Sequence, residues 1–333
     1  MGRDEMYMAR CIQLGKHALG VSRPNPMVGS LLVYKDRIIG EGFTKIFGGA
    51  HAEVNAIDSV KHKHLIADST LYVTLEPCSH YGKTPPCVDL ILTYGIRHVV
   101  IGCEDPNPKV GGQGIEKLKA SGCEVKVGVL KNQVTAHHRR FLTYQLKKRP
   151  YIILKWARTR NGFFTPESRK NRSPVWISNR YTRQLVHKWR SEEQAILVGT
   201  QTVKDDDPGL NVRLWTGQDP AKVIIDRKQA LETDLNIFND STPTIISEKT
   251  VEFDEHLARN ICKVLYDMKI TSIIIEGGAR TLNTFIKEDL WDEARVITGL
   301  NEFESGIKAP EIPGVPANTL NIAGDILKYY YND

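Results

Sequence analysis

The stretch Lys147-Lys148-Arg149-Pro150 most constrains this chain, because it closes one series of alternating strands and helices and stands directly before a second. Proline removes a backbone donor and restricts the residue ahead of it, so a helix running into this stretch ends there. The 333 residues, at about 100–200 per domain, then divide into two domains at that point. Before the break, apolar residues at helical spacing (Met8, Ile12, Leu14, Leu19) predict a helix over 4–19, stopped by Pro24-Asn25-Pro26. Runs 27–34 and 37–43 around Lys35-Asp36 predict a hairpin. Helices are then expected over 52–60, 87–94, 114–120 and 132–146, with strands over 70–75, 98–102 and 124–129 between them. After the break come strand 151–157, helix 179–190, strands 194–198, 222–225, 244–247 and 272–276, helix 279–287 and strand 294–298. Both halves therefore read as α/β, with helices on the faces of mixed or parallel sheets.

Composition narrows the function classes. At 41% apolar and 25% charged residues the chain is ordinary for a globular protein with a core of its own. No run of about 18 apolar residues is present, and the first ten residues are polar where a signal peptide needs an apolar stretch, so no membrane partner and a cytoplasmic location are expected. Six cysteines are too sparse for a disulfide scaffold, and in a reducing compartment a clustered pair reads first as metal ligand or catalytic group. The net charge of +6 is concentrated at the front: Lys and Arg outnumber Asp and Glu by 21 to 13 through Pro150 and are outnumbered by 26 to 24 beyond it. Such a field favours an anionic ligand, either nucleic acid or a phosphorylated small molecule. The basic cluster Arg139-Arg140 with Lys147 to Arg149 follows helical spacing and reads as a solvated helix face.

The sharpest chemical signal is His51-Ala52-Glu53, followed by Pro77-Cys78 and then Cys87. One His and two thiolates beside a Glu that is not a ligand form the zinc deaminase pattern. The residue types follow from the chemistry. Displacing an amino group from an electron-poor ring at neutral pH needs hydroxide, and zinc held by three ligands with an open fourth position lowers the pKa of its water to about 7. Glu53 then carries the proton to the departing nitrogen. His51 and Glu53 fall at the start of a predicted helix, and Cys87 opens another, where the dipole favours a thiolate. The plainer reading, a surface His and two core cysteines, has to explain four matching residue types at once. Cys11, Cys103, Cys123 and Cys262 lack ligand partners nearby and read as core or surface thiols.

The eight residues between Cys78 and Cys87 are Ser79-His80-Tyr81-Gly82-Lys83-Thr84-Pro85-Pro86. With Leu75-Glu76-Pro77 and Asn25-Pro26-Met27-Val28-Gly29 before them and Asp105-Pro106-Asn107-Pro108 after them, they closely resemble the bifunctional riboflavin biosynthesis deaminase/reductases. The resemblance implies a cytidine-deaminase-like three-layer α/β/α domain over 1–148, acting on 2,5-diamino-6-ribosylamino-4(3H)-pyrimidinone 5′-phosphate. It implies catalysis by Glu53, a metal site of His51, Cys78 and Cys87, and substrate contacts from Asn25, His80, Lys83, Asp105 and Asn107. Two positions depart from the family pattern, which has a His seven residues and an acidic residue two residues ahead of the ligand His; this chain has Thr44 and Gly49.

Beyond Pro150 no G-x-G-x-x-G follows a strand, which argues against a Rossmann domain. The pieces Lys155-Trp156-Ala157, Val175 to Ser178, Arg190, Ala195 to Gly199, Thr202-Val203, Asp205 to Pro208, Leu210 to Arg213 and Ile275 to Ala279 are similar to the reductase half of the same family. A dihydrofolate-reductase-like, NADPH-dependent domain over 149–333 is thus implied. Gly277-Gly278 between strand and helix suits backbone approach to a phosphate. By resemblance, Ala157, Trp176, Thr202, Asp206, Gly277, Gly278, Ala279 and Arg280 bind NADPH, and Arg190, Leu210, Arg213 and Glu276 hold the substrate, the two arginines clamping its phosphate. Arg227 stands where the family has Ser or Thr and is a candidate for the cofactor's 2′-phosphate. Residues 301–333 lack the family's usual ending and receive no function.

The expected partner is a phosphorylated pyrimidine, with zinc and NADPH as cofactors and a homo-oligomer as the assembly. Two rival readings are a nucleic-acid deaminase of the tRNA-adenosine type and a zinc-stabilised binding protein with both catalytic halves dead. The first leaves the long Cys78 to Cys87 insertion and the second half unexplained, and lacks aromatics interleaved with its basic residues. The second leaves Glu53 without a purpose.

Overall fold

The computed structural model describes residues 2–81, 85–107, 111–168 and 172–332. It divides into two units, Met1–Lys147 and Lys148–Asp333. The first runs α1 (Arg3–Gly15), β1 (Gly29–Tyr34), β2 (Arg37–Phe43), α2 (Ala52–Ser59), β3 (Thr70–Leu75), α3 (Cys87–Thr93), β4 (His98–Cys103), α4 (Gln113–Ala120), β5 (Glu124–Val127), α5 (Lys131–His137) and α6 (Arg139–Lys147). Its sheet has the order β2-β1-β3-β4-β5, with β1 antiparallel to both neighbours and β3, β4 and β5 parallel. Gly42 on β2 is a packing requirement: a Cβ there would run into the Ala52 carbonyl and the Ala56 nitrogen, so glycine lets α2 lie close against the strand.

The helix expected over 132–146 is two helices, α5 and α6, broken at His138. His137 and His138 are both buried: His137 Nε2 lies 2.6 Å from the Met27 carbonyl and His138 Nε2 3.0 Å from Thr74 Oγ1. Successive residues of an unbroken helix point about 100° apart, so turning both rings inward bends the backbone. The strand expected over 124–129 stops at Val127.

The second unit runs β6 (Tyr151–Arg158), β7 (Phe163–Pro166), α7 (Arg180–Glu192), β8 (Ala195–Gly199), α8 (Thr200–Asp206), β9 (Ala221–Ile225), β10 (Thr244–Ile246), α9 (Leu257–Asp267), β11 (Ser272–Ile275), α10 (Ala279–Lys287), β12 (Glu293–Thr298), β13 (Gly306–Lys308), β14 (Asn318–Ile322) and β15 (Asp325–Tyr331). The main sheet has the order β10-β9-β8-β11-β6-β12-β15-β14, parallel from β10 to β12 and antiparallel at β15 and β14. Its central strands are apolar on both faces, as a sheet covered by helices requires. Ile152, Leu154 and Trp156 of β6 enter one core cluster, while Tyr151 and Ile153 enter the other. Helices α8 and α9 and the strands beyond 300 go further than the sequence expectation. The final hairpin, β14 with β15, extends the sheet, and it also holds the start of α7: Asn179 N donates to Asp325 Oδ2 (2.8 Å) and Asn179 Nδ2 to the Ile322 carbonyl (2.7 Å). Asn179 Oδ1 in turn accepts from Tyr181 N and Thr182 N, capping the helix.

Candidate active sites

In the first unit, α2 begins at His51 and carries Glu53 in its first turn, β3 runs out toward Cys78, and α3 begins at Cys87. Three chain segments thus converge at helix and strand ends. His51 Nδ1 lies 3.2 Å from Cys87 Sγ and 3.7 Å from Cys78 Sγ, and one ligand atom from each of the three lies within 4.8 Å of the others. The Cys87 backbone N–H donates to Cys78 Sγ at 3.3 Å. Hydrogen bonding from the Cys87 thiol, helped by His51, holds the Cys78 thiol well below the ordinary range; the same contact and burial push Cys87 up. Two soft sulfurs and an imidazole nitrogen that converge in this way are a donor set that fits zinc. Glu53 is 3% exposed, and burial, then the Cys78 charge, raises its carboxyl pKa. A carboxyl so placed readily holds a proton.

Of the residues expected to touch the deaminase substrate, Asp105 sits in the field of both His80 and Cys78, and burial pushes it up to about 6. Its Oδ1 accepts from Asn107 N at 2.8 Å. His80 is exposed. Asn25 is half-buried in a turn where Ser22 Oγ donates to its carbonyl, and among the described residues no hydrogen bond joins its side chain to the other candidates. Lys83 lies outside the described residues. Thr44 is buried, and its hydroxyl accepts from Val28 N at 3.2 Å.

Glu76, to which the sequence alone assigns no role, is a positioning carboxylate for this site. It is buried and accepts backbone N–H groups from Asp105 (3.1 Å), Gly112 (3.0 Å), Gly114 (2.9 Å) and Ile115 (3.2 Å). Two residues before Cys78, it ties the metal-ligand strand to the loop bearing Asp105 and Asn107.

In the second unit a cleft of about 610 Å³ opens at the carboxyl ends of β6, β8 and β11, where ligands of open α/β sheets bind. Ala157, Trp176, Thr202 and Asp206, expected on the cofactor, line it together with Arg190, Leu210, Arg213 and Glu276, expected on the substrate. The turn of Gly277 and Gly278 follows directly; Gly278 N donates to Thr202 Oγ1 at 2.7 Å, and a Cβ on Gly277 would come within 2.5 Å of Val198 Cα. Ala279 and Arg280 open α10 beyond it, Arg280 exposed.

The clamp expected of Arg190 and Arg213 has a different geometry. Arg190 spends its fork on Glu276, with Nε to Oε1 and Nη2 to Oε2 both at 2.9 Å, and Lys155 Nζ adds a contact to Oε2 at 3.4 Å. Burial alone would raise the Glu276 carboxyl, but Arg190 and then Lys155 hold it down at about 2. Burial pushes the Lys155 ammonium below its ordinary value. Arg213 is exposed at the cleft mouth, its Nη1 on Asn211 Oδ1 at 2.8 Å. His187 was also missed: buried against the cleft, its Nδ1 accepts from Arg213 N at 3.1 Å, which makes it a neutral acceptor. Its spacing of three from Arg190 on α7, and of four from Arg183, was the available signal. Arg227 pairs with Glu248 over the Phe253 ring.

A family model for the cytidine and deoxycytidylate deaminase zinc-binding region matches residues 1–103, and one for the RibD C-terminal domain matches 150–299. The riboflavin biosynthesis protein RibD of Aquifex aeolicus is 37% identical over 332 residues, covering 92% of each chain, and that of Bacillus amyloliquefaciens is 37% identical over 311 residues, covering 87% of this chain and 82% of its own. The crystal structure of a diaminohydroxyphosphoribosylaminopyrimidine deaminase/5-amino-6-(5-phosphoribosylamino)uracil reductase from Thermotoga maritima superposes with a TM-score of 0.88 at 36% identity over 98% of both chains. An Acinetobacter baumannii RibD structure gives 0.87 at 30% identity, covering 99% of this chain and 98% of that one. The two α/β folds expected from the sequence, cytidine-deaminase-like then dihydrofolate-reductase-like, stand. Among the described residues no helix is long and apolar enough to cross a membrane.

Proposed function

The chain belongs to the RibD family of bifunctional riboflavin biosynthesis deaminase/reductases, and from that premise we propose how its residues divide the two reactions. The converging donors His51 Nδ1, Cys78 Sγ and Cys87 Sγ carry the first assignment: they would hold zinc. Zinc, when bound, supplies the polarisation that makes water a nucleophile at neutral pH. Glu53 takes the proton of the attacking water on its carboxylate and returns it to the amino nitrogen, which leaves as ammonia. Asp105 and Asn107, steadied by Glu76, face the pyrimidine and ribose edges, and Asn25, His80 and Lys83 complete the substrate contacts. The tRNA-adenosine alternative is the weaker reading for a chain that matches this family over most of its length.

The cleft of the second unit is assigned to reduction. NADPH, when bound, supplies the hydride that turns the ribosylamino side chain into ribitylamino. Ala157, Trp176, Thr202, Asp206 and the turn at 277–280 hold the cofactor; Leu210, Arg213 and Glu276 face the substrate, Arg213 as the exposed cation for its phosphate. Arg190 acts through Glu276, fixing that carboxylate. Opening the ribose ring needs a proton at its ring oxygen, and Lys155, whose ammonium burial makes more acidic, lines the cleft and would give it.

The paired thiols require a reducing compartment, which supports the cytoplasm as the location. A homo-oligomer is the proposed assembly, with exposed Val315 and Leu300 as candidate contacts and sedimentation as the test. The assignment is tested by incubating the chain with the diaminopyrimidinone phosphate and NADPH: ammonia release followed by NADPH oxidation supports it, and oxidation without ammonia contradicts it.

A further inference from the structure

Helix α7 turns Arg183, His187 and Arg190 toward the cleft, at spacings of four and three residues that place them on one helix face. Two of the three are already satisfied. Arg190 spends its fork on Glu276, and His187 accepts from the Arg213 backbone. Arg183 differs: its guanidinium lies over the Trp176 ring, 4.5 Å from the centroid, and its Nε is buried with no hydrogen-bond partner.

A buried donor left without a partner is costly, the more so when the group is charged. Arginine has donors only and stays protonated, so no change of protonation relieves that cost. Its place over the Trp176 ring restrains the fork and lowers the entropy lost when it binds an oxyanion. Four acids line the cleft with it, Asp206, Asp207, Asp240 and Glu276; Glu276 is taken by Arg190 and Lys155, Asp207 bonds to Asn236, and among the described residues no ion pair joins Arg183 to any of the four.

We propose that Arg183, held over Trp176, is a phosphate-recognition residue of the reductase cleft, its guanidinium, with the unpartnered Nε, receiving the oxygens of a phosphomonoester dianion. The inference rests on the assignment of this cleft to cofactor and substrate. Both ligands carry the required group: NADPH at its 2′-position, where NADH has a hydroxyl, and the substrate at its 5′-position.

The test measures reductase kcat/KM for four combinations, NADPH or NADH with the 5′-phosphorylated or the dephosphorylated ribosylaminouracil, in the wild-type chain and in Arg183→Gln. Each phosphate gives a preference ratio. Losing a charge-assisted fork lowers one ratio by roughly tenfold to a hundredfold and leaves the other unchanged, and the ratio that falls identifies the phosphate. Arg183→Lys, which keeps the charge without the fork, should recover part of that ratio and covers the case in which the glutamine variant folds poorly. An arginine with a structural role only would lower all four rates by one factor and leave both ratios in place, which overturns the inference. A wild-type chain with no preference for either phosphate would overturn the assignment of the cleft as well.

Discussion

Replacing Glu276 by Gln should destabilise the reductase unit. The Glu276 side chain is 7% exposed and serves two cations, Arg190 through a bidentate pair at 2.9 Å and Lys155 at 3.4 Å. The amide leaves both cations in a low-dielectric site without a counter-charge. Breaking a buried pair from one side costs about 3–5 kcal/mol. The depression of the carboxyl from 4.5 to about 2 corresponds to about 3 kcal/mol at roughly 1.36 kcal/mol per unit, which agrees. At about 2–4 °C per kcal/mol for a unit of this size, the thermal midpoint should fall by roughly 6–20 °C. Because the folded carboxyl is the stronger acid, the wild-type contribution is whole above about pH 4.5 and drains away as pH falls toward 2, so the two proteins should converge in stability across that window. Calorimetry across pH, with deaminase activity followed as the control for the first unit, measures this. Adding Arg190→Met to Glu276→Gln should recover part of the loss, since one stranded charge is then removed. A midpoint lowered by less than about 2 °C at pH 7 would mean that solvent screens the cluster, and the reasoning would fail.

Other substitutions separate the remaining roles. Cys87→Ser should lose stoichiometric zinc and deamination together while NADPH-dependent reduction persists, as elemental analysis beside the two assays would reveal. Arg213→Ala should raise the reductase KM for substrate by about tenfold to a hundredfold with NADPH affinity little changed; weakened NADPH binding instead would assign Arg213 to the cofactor. Asp325→Ala removes the acceptor for Asn179 N at the start of α7 and should cost about 1–2 kcal/mol in denaturant unfolding of the second unit, whereas no loss would show the final hairpin to be dispensable there.

How much of this was legible in the sequence depends on whether a role is set by residue type or by a partner far along the chain. His51, Glu53, Cys78 and Cys87 were readable because zinc chemistry admits few side chains and places them at helix and strand ends, which periodicity locates. Glu76 was not: its role exists only because four N–H groups from residues 105 to 115 turn toward it. Arg190 and Glu276 were both assigned to the substrate separately, and nothing in their local sequence says that they pair across 86 positions. The break at His138 was hidden because the pattern on either side is helical, and two inward histidines decide it. Residues 301–333 were unreadable for a related reason. β14 is largely exposed and lacks apolar alternation, while β15 mixes Asp325 and Lys328 with three tyrosines, so the hairpin is specified by its pairing with β12 and its hold on Asn179.

The central claim is that one chain deaminates and then reduces, with Glu53 serving only the first step. Glu53→Gln keeps the side chain's shape but cannot accept a proton, so it tests the claim most directly. Given the diaminopyrimidinone phosphate and NADPH, this variant should retain zinc, release ammonia about 10² times more slowly or worse, and oxidise almost no NADPH; given the deaminated ring instead, it should oxidise NADPH at the wild-type rate. Ammonia release at the wild-type rate, or loss of NADPH oxidation on the deaminated ring, would contradict the account.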